Sequence, residues 1–120
     1  MSDYHEPENE LSPFARDYHR ALTSLKEEIE AVDWYHQRVE TSNDASLGAI
    51  LAHNRDEEIE HACMTLEWLR RHVPQWQTML QTYLFTSEPI TELEEAEGDA
   101  TKNASVYSLR IGSLKQEGNL

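Results

Sequence analysis

The chain has a single cysteine, Cys63, in 120 residues. One thiol excludes an internal disulfide framework and any zinc site built from several cysteines. Helical spacing puts Cys63 on a polar flank, where it reads as a bystander. Bases are scarce too: 10 Lys and Arg stand against 23 Asp and Glu, a formal charge of −13. Such a surface repels nucleic-acid phosphates and anionic membranes and attracts cations. No apolar run approaches the roughly 20 residues that span a bilayer, so no membrane partner is expected. The first ten residues are acidic and polar, without the apolar centre of an export signal, which leaves the cytoplasm as the expected location. There is no Gly-rich phosphate loop, no Ser-His-Asp order and no basic aromatic patch. Nucleotide binding, hydrolase chemistry and nucleic-acid binding are therefore set aside.

What is present is helical periodicity. Residues 1–11 are polar and read as a flexible N-terminus. Ser12-Pro13 is a helix-start signal, an N-cap followed by proline at the first helical position. Phe14, Tyr18, Leu22, Leu25, Ile29, Val32, Tyr35 (or His36) and Val39 then recur at steps of three and four, a stripe about 40 Å long. Thr41-Ser42-Asn43-Asp44 is a turn with capping residues. Leu47, Leu51, Glu58, Ala62, Thr65 and Leu69 form a second stripe, ended near His72 by Pro74. Trp76, Met79, Leu80, Tyr83 and Leu84 predict a short third helix, and residues 90–97 add an acidic turn. From Gly98 periodicity disappears. The expected architecture is all-α, with residues 12–97 as one helical domain: an antiparallel two-helix hairpin plus a short C-terminal helix. A hairpin of this size cannot cover its own apolar stripes, and association is the usual remedy.

Two acids break the stripes. At 100° per residue, Ala21, Leu25, Val32, Tyr35 and Val39 lie within about 60° of Glu28. Leu47, Leu51, Ala62 and Leu69 lie within about 40° of Glu58, and His61 about 60° away. Both carboxylates thus point into the packing faces, at heights expected to be compatible. A buried carboxylate without a partner is costly, and a cation between two of them removes that cost. Glu58 and His61 also form a Glu-x-x-His pair, one turn apart on one side of a helix. Di-iron sites in helix bundles use two such pairs plus one Glu from each of two other helices. This chain has one of each, so two copies are needed to build one site. Asp33 and His36 look similar, but Asp33 lies about 140° from Glu28, on the solvent side. Tyr35 lies about 20° from the Glu28 direction, where its hydroxyl can approach a metal-bound ligand.

A second group lies on the flanks: Glu27 and Glu30 with Trp34 on the first helix, and His53, Glu57 and Glu60 on the second. They are either solvated acids beside a core or a loose, hydrated cation site that also accepts calcium or other divalent ions.

Several segments carry a family resemblance: Lys26-Glu-Glu-Ile-Glu-Ala-Val-Asp-Trp-Tyr35, Leu51-Ala-His-Asn-Arg-Asp-Glu-Glu-Ile-Glu-His61, Met64-Thr-Leu-Glu-Trp-Leu-Arg-Arg71, Thr82-Tyr-Leu-Phe-Thr86 and Pro89-Ile-Thr91. In this order they resemble the encapsulated ferritin family across about residues 20–92. The resemblance implies a protomer that dimerises into a ferritin-like four-helix di-iron bundle, with dimers assembling into a ring-shaped decamer. It implies that Glu28, Glu58 and His61 are ferroxidase ligands with Tyr35 and Trp34 beside them, that Glu27 and Glu30 receive incoming metal, and that His53, Glu57 and Glu60 form a peripheral cluster. In the tail, residues 98–120, Ser108-Leu-Arg-Ile-Gly-Ser-Leu-Lys115 resembles the peptide that docks cargo inside encapsulin shells. In an extended segment Leu109 and Ile111 point the same way, and Leu114 adds a third anchor.

The expected function is therefore oxidation of Fe(II) to Fe(III) by dioxygen inside an encapsulin compartment. Hard carboxylate oxygens stabilise the ferric state, and imidazole holds iron in both states. Two other readings stay open. One is an acidic helical cargo or adaptor whose inward acids pair with Arg38, Arg55, Arg70 or Arg71 across an interface. The other is the same fold holding zinc or manganese structurally.

Overall fold

The computed structural model describes residues 3–94. Among them the chain is all-helical: α1 (Pro13–Thr41), α2 (Ala45–His72) and α3 (Pro74–Tyr83), with a 3-10 turn at Glu8–Glu10 before them and helical residues at 90–94. The remainder of the acidic turn expected at 90–97 lies outside the described residues. So does the tail with its candidate docking segment at 108–115. By compactness the described residues divide into two units, one ending at Leu69 and the other beginning at Arg70.

In the first unit the helix ends fall where the capping residues stand. The Ser12 hydroxyl accepts a hydrogen bond from the Ala15 backbone N–H at 3.0 Å, and Pro13 occupies the first turn. Each satisfies or removes a donor that a helix N-terminus leaves unpaired. At the other end the Ser42 N–H donates to the Arg38 carbonyl at 3.0 Å. The reversal is then three residues long. Asp44 caps α2 by accepting from the Leu47 N–H at 2.8 Å, while its own N–H donates to the Ser42 hydroxyl at 3.3 Å. A connection this short leaves the second helix nowhere to go but back along the first.

Cross-helix contacts confirm the antiparallel sense. Phe14 near the start of α1 stacks on Trp68 near the end of α2, with ring centroids 6.3 Å apart and planes 17° apart. Further along, Glu28 meets Thr65, and near the turn His36 meets Arg55. One residue number rises as the other falls. The faces in contact are half-buried: Leu25, Val32, Tyr35 and Val39 from α1, and Leu51, Ala62, Leu66 and Trp68 from α2. The α1 stripe read from sequence is wider than this contact. Leu22 and Ile29 belong to it yet remain exposed, Ile29 at 56%. One helix can cover only part of an apolar stripe this broad. Before α1, the Tyr4 ring lies 4.4 Å from that of His19, and the Arg16 guanidinium donates to the Leu11 carbonyl at 3.0 Å.

In the second unit α3 starts at Pro74, again in the first turn. The side chain of Arg70 donates to that of Gln77, which is buried with Val73. The helix closes with the Leu84 N–H donating to the Leu80 carbonyl at 2.9 Å. The next residue, Phe85, has φ 59°, the left-handed region that usually follows a helix with Gly or Asn.

Among the described residues only Leu69 and Val73 are buried hydrophobics. Leu69→Ala is therefore expected to cost about 2–5 kcal/mol through lost burial and an unfilled cavity. Asp44→Ala, which removes a cap, is expected to cost about 1 kcal/mol. Urea denaturation at fixed protein concentration measures both, and equal losses would contradict this ranking.

Candidate metal centre

α2 is the simpler half of the site. Glu58 and His61 sit one turn apart, with the His61 Nδ1 3.5 Å from the Glu58 Oε1. That spacing is loose for a hydrogen bond, so neither side chain is committed to the other. Glu58 is 26% exposed and His61 46%. The two point the same way from a rigid helix, with lone pairs free for a cation.

α1 contributes Glu28, half-buried in the face toward α2. Its Oε1 accepts a hydrogen bond from the Thr65 hydroxyl at 3.0 Å. Thr65 is seven residues beyond Glu58, about 10 Å along the helix axis. Within one chain Glu28 therefore reaches α2 at the level of Thr65. Periodicity sets which way a side chain points, whereas the register between helices follows from how their side chains interlock. Among the described residues no three His, Cys, Asp or Glu side chains converge closely enough to hold an ion.

Tyr35 is half-buried, with the Arg38 guanidinium over its ring at 5.2 Å from the centroid. This cation–π contact fixes the ring and occupies Arg38. Arg55 is also directed away from the inward acids. Its Nη1 donates to the His36 Nδ1 at 3.1 Å, and its Nε to the Asp56 carboxylate at 3.1 Å. Because an arginine only donates, this contact is a hydrogen bond when Nδ1 is the accepting nitrogen of the ring, and the other ring nitrogen, Nε2, lies 3.9 Å from Glu40. His36 thus has a local role as a bridge between helices near the turn. Asp33 and Cys63 are exposed, as their helical positions predict.

The flank acids Glu27, Glu30, Glu57 and Glu60, together with His53, are all exposed, and Trp34 beside them is 52% exposed. They line the outside of the same two helices.

A family model described as EncFtn-like matches residues 3–87, which span every residue above. The chain belongs to the encapsulated ferritin family. Among individual members, it is 61% identical over 104 residues to a "Ferritin-like protein" of Thermotoga maritima, covering 86% of this chain and 91% of that one. It is 55% identical over 126 residues to an "Encapsulated ferritin-like protein" of Rhodospirillum rubrum, covering 97% and 90%. Among solved structures, that of protein ne0167 from Nitrosomonas europaea superimposes with a TM-score of 0.72 at 58% identity, covering 74% of this chain and 98% of that one. Membership fixes the ferritin-like helical class for the protomer. Among the described residues no helix is long and apolar enough to cross a membrane.

Two pairings of this region were not legible in the sequence. Thr65 was visible only as a member of the α2 stripe. Arg55 was visible as a possible partner of an inward acid, and its actual partner, His36, lies 19 positions away. The His36–Arg55 bridge is largely solvent-exposed, so His36→Ala is expected to cost less than about 1 kcal/mol in urea denaturation. A loss above about 2 kcal/mol would show that His36 is packed and not merely bridging.

Proposed function

We propose that this protein is a ferroxidase and the cargo of an encapsulin nanocompartment. Fe(II) is its substrate, bound in pairs between two copies of the chain. Glu28, Glu58 and His61 from each copy are the ligands, and dioxygen is the electron acceptor. The observation that carries this reading is the Glu58–His61 pair: two uncommitted donors on one side of a helix, in a chain of the encapsulated ferritin family. The donor set fits the chemistry. Carboxylate oxygens favour the ferric product, and a neutral imidazole binds iron in either oxidation state.

Each residue has a limited task. Glu28 and Glu58 supply the negative charge that draws Fe(II) between the helices and offsets the charge gained on oxidation. His61 adds a neutral donor, keeping the ferrous form bound. Tyr35, its ring held under Arg38, lies beside the ligands. Glu27 and Glu30 receive incoming metal from solvent, and His53, Glu57 and Glu60 offer a looser peripheral cluster that also accepts calcium or other divalent ions.

Assembly belongs to the same proposal. A second copy supplies the other Glu28, Glu58 and His61, and dimers associate further into a ring-shaped decamer. Residues 108–115 dock the assembly against the shell protein, placing it in the lumen of a cytoplasmic compartment. The "encapsulated" in the name of the Rhodospirillum rubrum relative supports this placement. Ferric product then mineralises in the shell, because a compact helical assembly has no storage cavity of its own.

Anaerobic loading with Fe(II) followed by exposure to oxygen tests the activity. Ferric absorbance is expected to rise faster than in buffer, and Glu28→Ala and His61→Ala are each expected to lower the rate at least tenfold, as loss of a ligand typically does. Absorbance no faster than buffer would refute the ferroxidase reading, and wild-type rates in both variants would refute the ligand assignment. Ligands shared across an interface also couple metal binding to association. Sedimentation at matched concentration is expected to show more monomer or dimer in metal-free protein than in metal-loaded protein.

A further inference from the structure

A threonine inside a helix ordinarily returns its hydroxyl proton to the carbonyl one turn back. Thr65 has that acceptor, the His61 carbonyl, at 3.2 Å. It also has a second, the Glu28 carboxylate of the opposite helix, at 3.0 Å and 37 positions away in sequence. The hydroxyl carries one proton for two acceptors. The cross-helix bond is the shorter of the two, and it is the one that joins α1 to α2.

We propose that Thr65 is a positioning residue for Glu28. It holds the carboxylate against α2, one turn past His61, so that Glu28 waits at the metal centre and not in solvent. Ser24, one turn before Glu28, lines an open groove of about 500 Å³ together with Thr65, Ala21 and Trp68. Without the bond, the Glu28 side chain has water to turn toward. The bond is also releasable. When a cation takes up the Glu28 carboxylate, the Thr65 hydroxyl turns to donate to the His61 carbonyl, already 3.2 Å away, and keeps a partner. Holding and release then use the same hydroxyl, and the helical turn that carries His61 provides the second acceptor.

This role rests on the metal reading of Glu28, Glu58 and His61, and its test separates the two. Co(II) is the probe, since it binds carboxylate–imidazole sites without turning over and reports its ligands through its visible absorption. Titration is expected to show about tenfold weaker Co(II) binding in Thr65→Val, the usual effect of losing a group that orients a ligand. Thr65→Ser, which restores the hydroxyl, is expected to recover wild-type affinity and spectrum. In a Glu28→Ala background, Thr65→Val is expected to have no further effect on the residual binding, because the carboxylate that the hydroxyl positions is already gone. Circular dichroism of each variant monitors folding. Should the valine variant not fold, Thr65→Ala is used with the same serine comparison. Co(II) binding that depends on Glu28 and His61 but stays within twofold of wild type without the hydroxyl overturns the Thr65 role alone. Binding indifferent to Glu28→Ala removes the metal reading and this role with it.

Discussion

The contact between α1 and α2 joins carboxylates as well as aliphatic side chains, and much else follows from that mixture. Leu25, Val32 and Val39 pack toward the opposite helix on the same face that carries Glu28, as Leu51 and Ala62 do on the face with Glu58. Desolvating an acid is unfavourable unless a hydrogen bond, a cation or proton uptake compensates. In the single chain Glu28 has one hydrogen bond, from Thr65, and Glu58 a loose neighbour in His61. Neither arrangement saturates a carboxylate, which accepts up to about four hydrogen bonds. Unspent acceptor capacity in a partly dry seam is the physical basis for reading the seam as a place for metal.

The same contact limits what the protomer is by itself. Two long helices give one line of contact, so each residue there is half-covered. Leu69 and Val73 are the only buried hydrophobics among the described residues, while Ile29, Ile50, Ile59 and Met64 remain exposed. A chain with 38% hydrophobic residues thus leaves much of its apolar surface outside. That fits a unit meant to be completed by association, in which the surfaces that need covering and the acids that need a counterion occupy the same two helices.

Helix ends were legible in the sequence because they are decided locally. Ser12-Pro13, Asp44 and Pro74 act within one turn of themselves, and the helices begin where those residues stand. The burial of Glu28 and Glu58 was legible for a related reason, since a residue's direction follows from its phase along a regular helix. The outer part of the α1 stripe was not. Phase says that Leu22 and Ile29 are apolar neighbours of the contact line, but the width of that line depends on the diameter of the partner. Arg55 was likewise ambiguous, because a long flexible cation has several acids in range and only the packed arrangement directs it to His36 and Asp56.

The amino-acid sequence by itself determined the helices, their caps, the one-turn spacing of Glu58 and His61, and an acidic surface suited to cations. All of these depend on chemistry within a few residues. Only the tertiary structure decided that Glu28 stands opposite Thr65 and that His36 bridges to Arg55. Those pairings depend on the slide of one helix along another. That slide is set by the summed interlocking of many side chains, and it leaves no trace in the period of either helix.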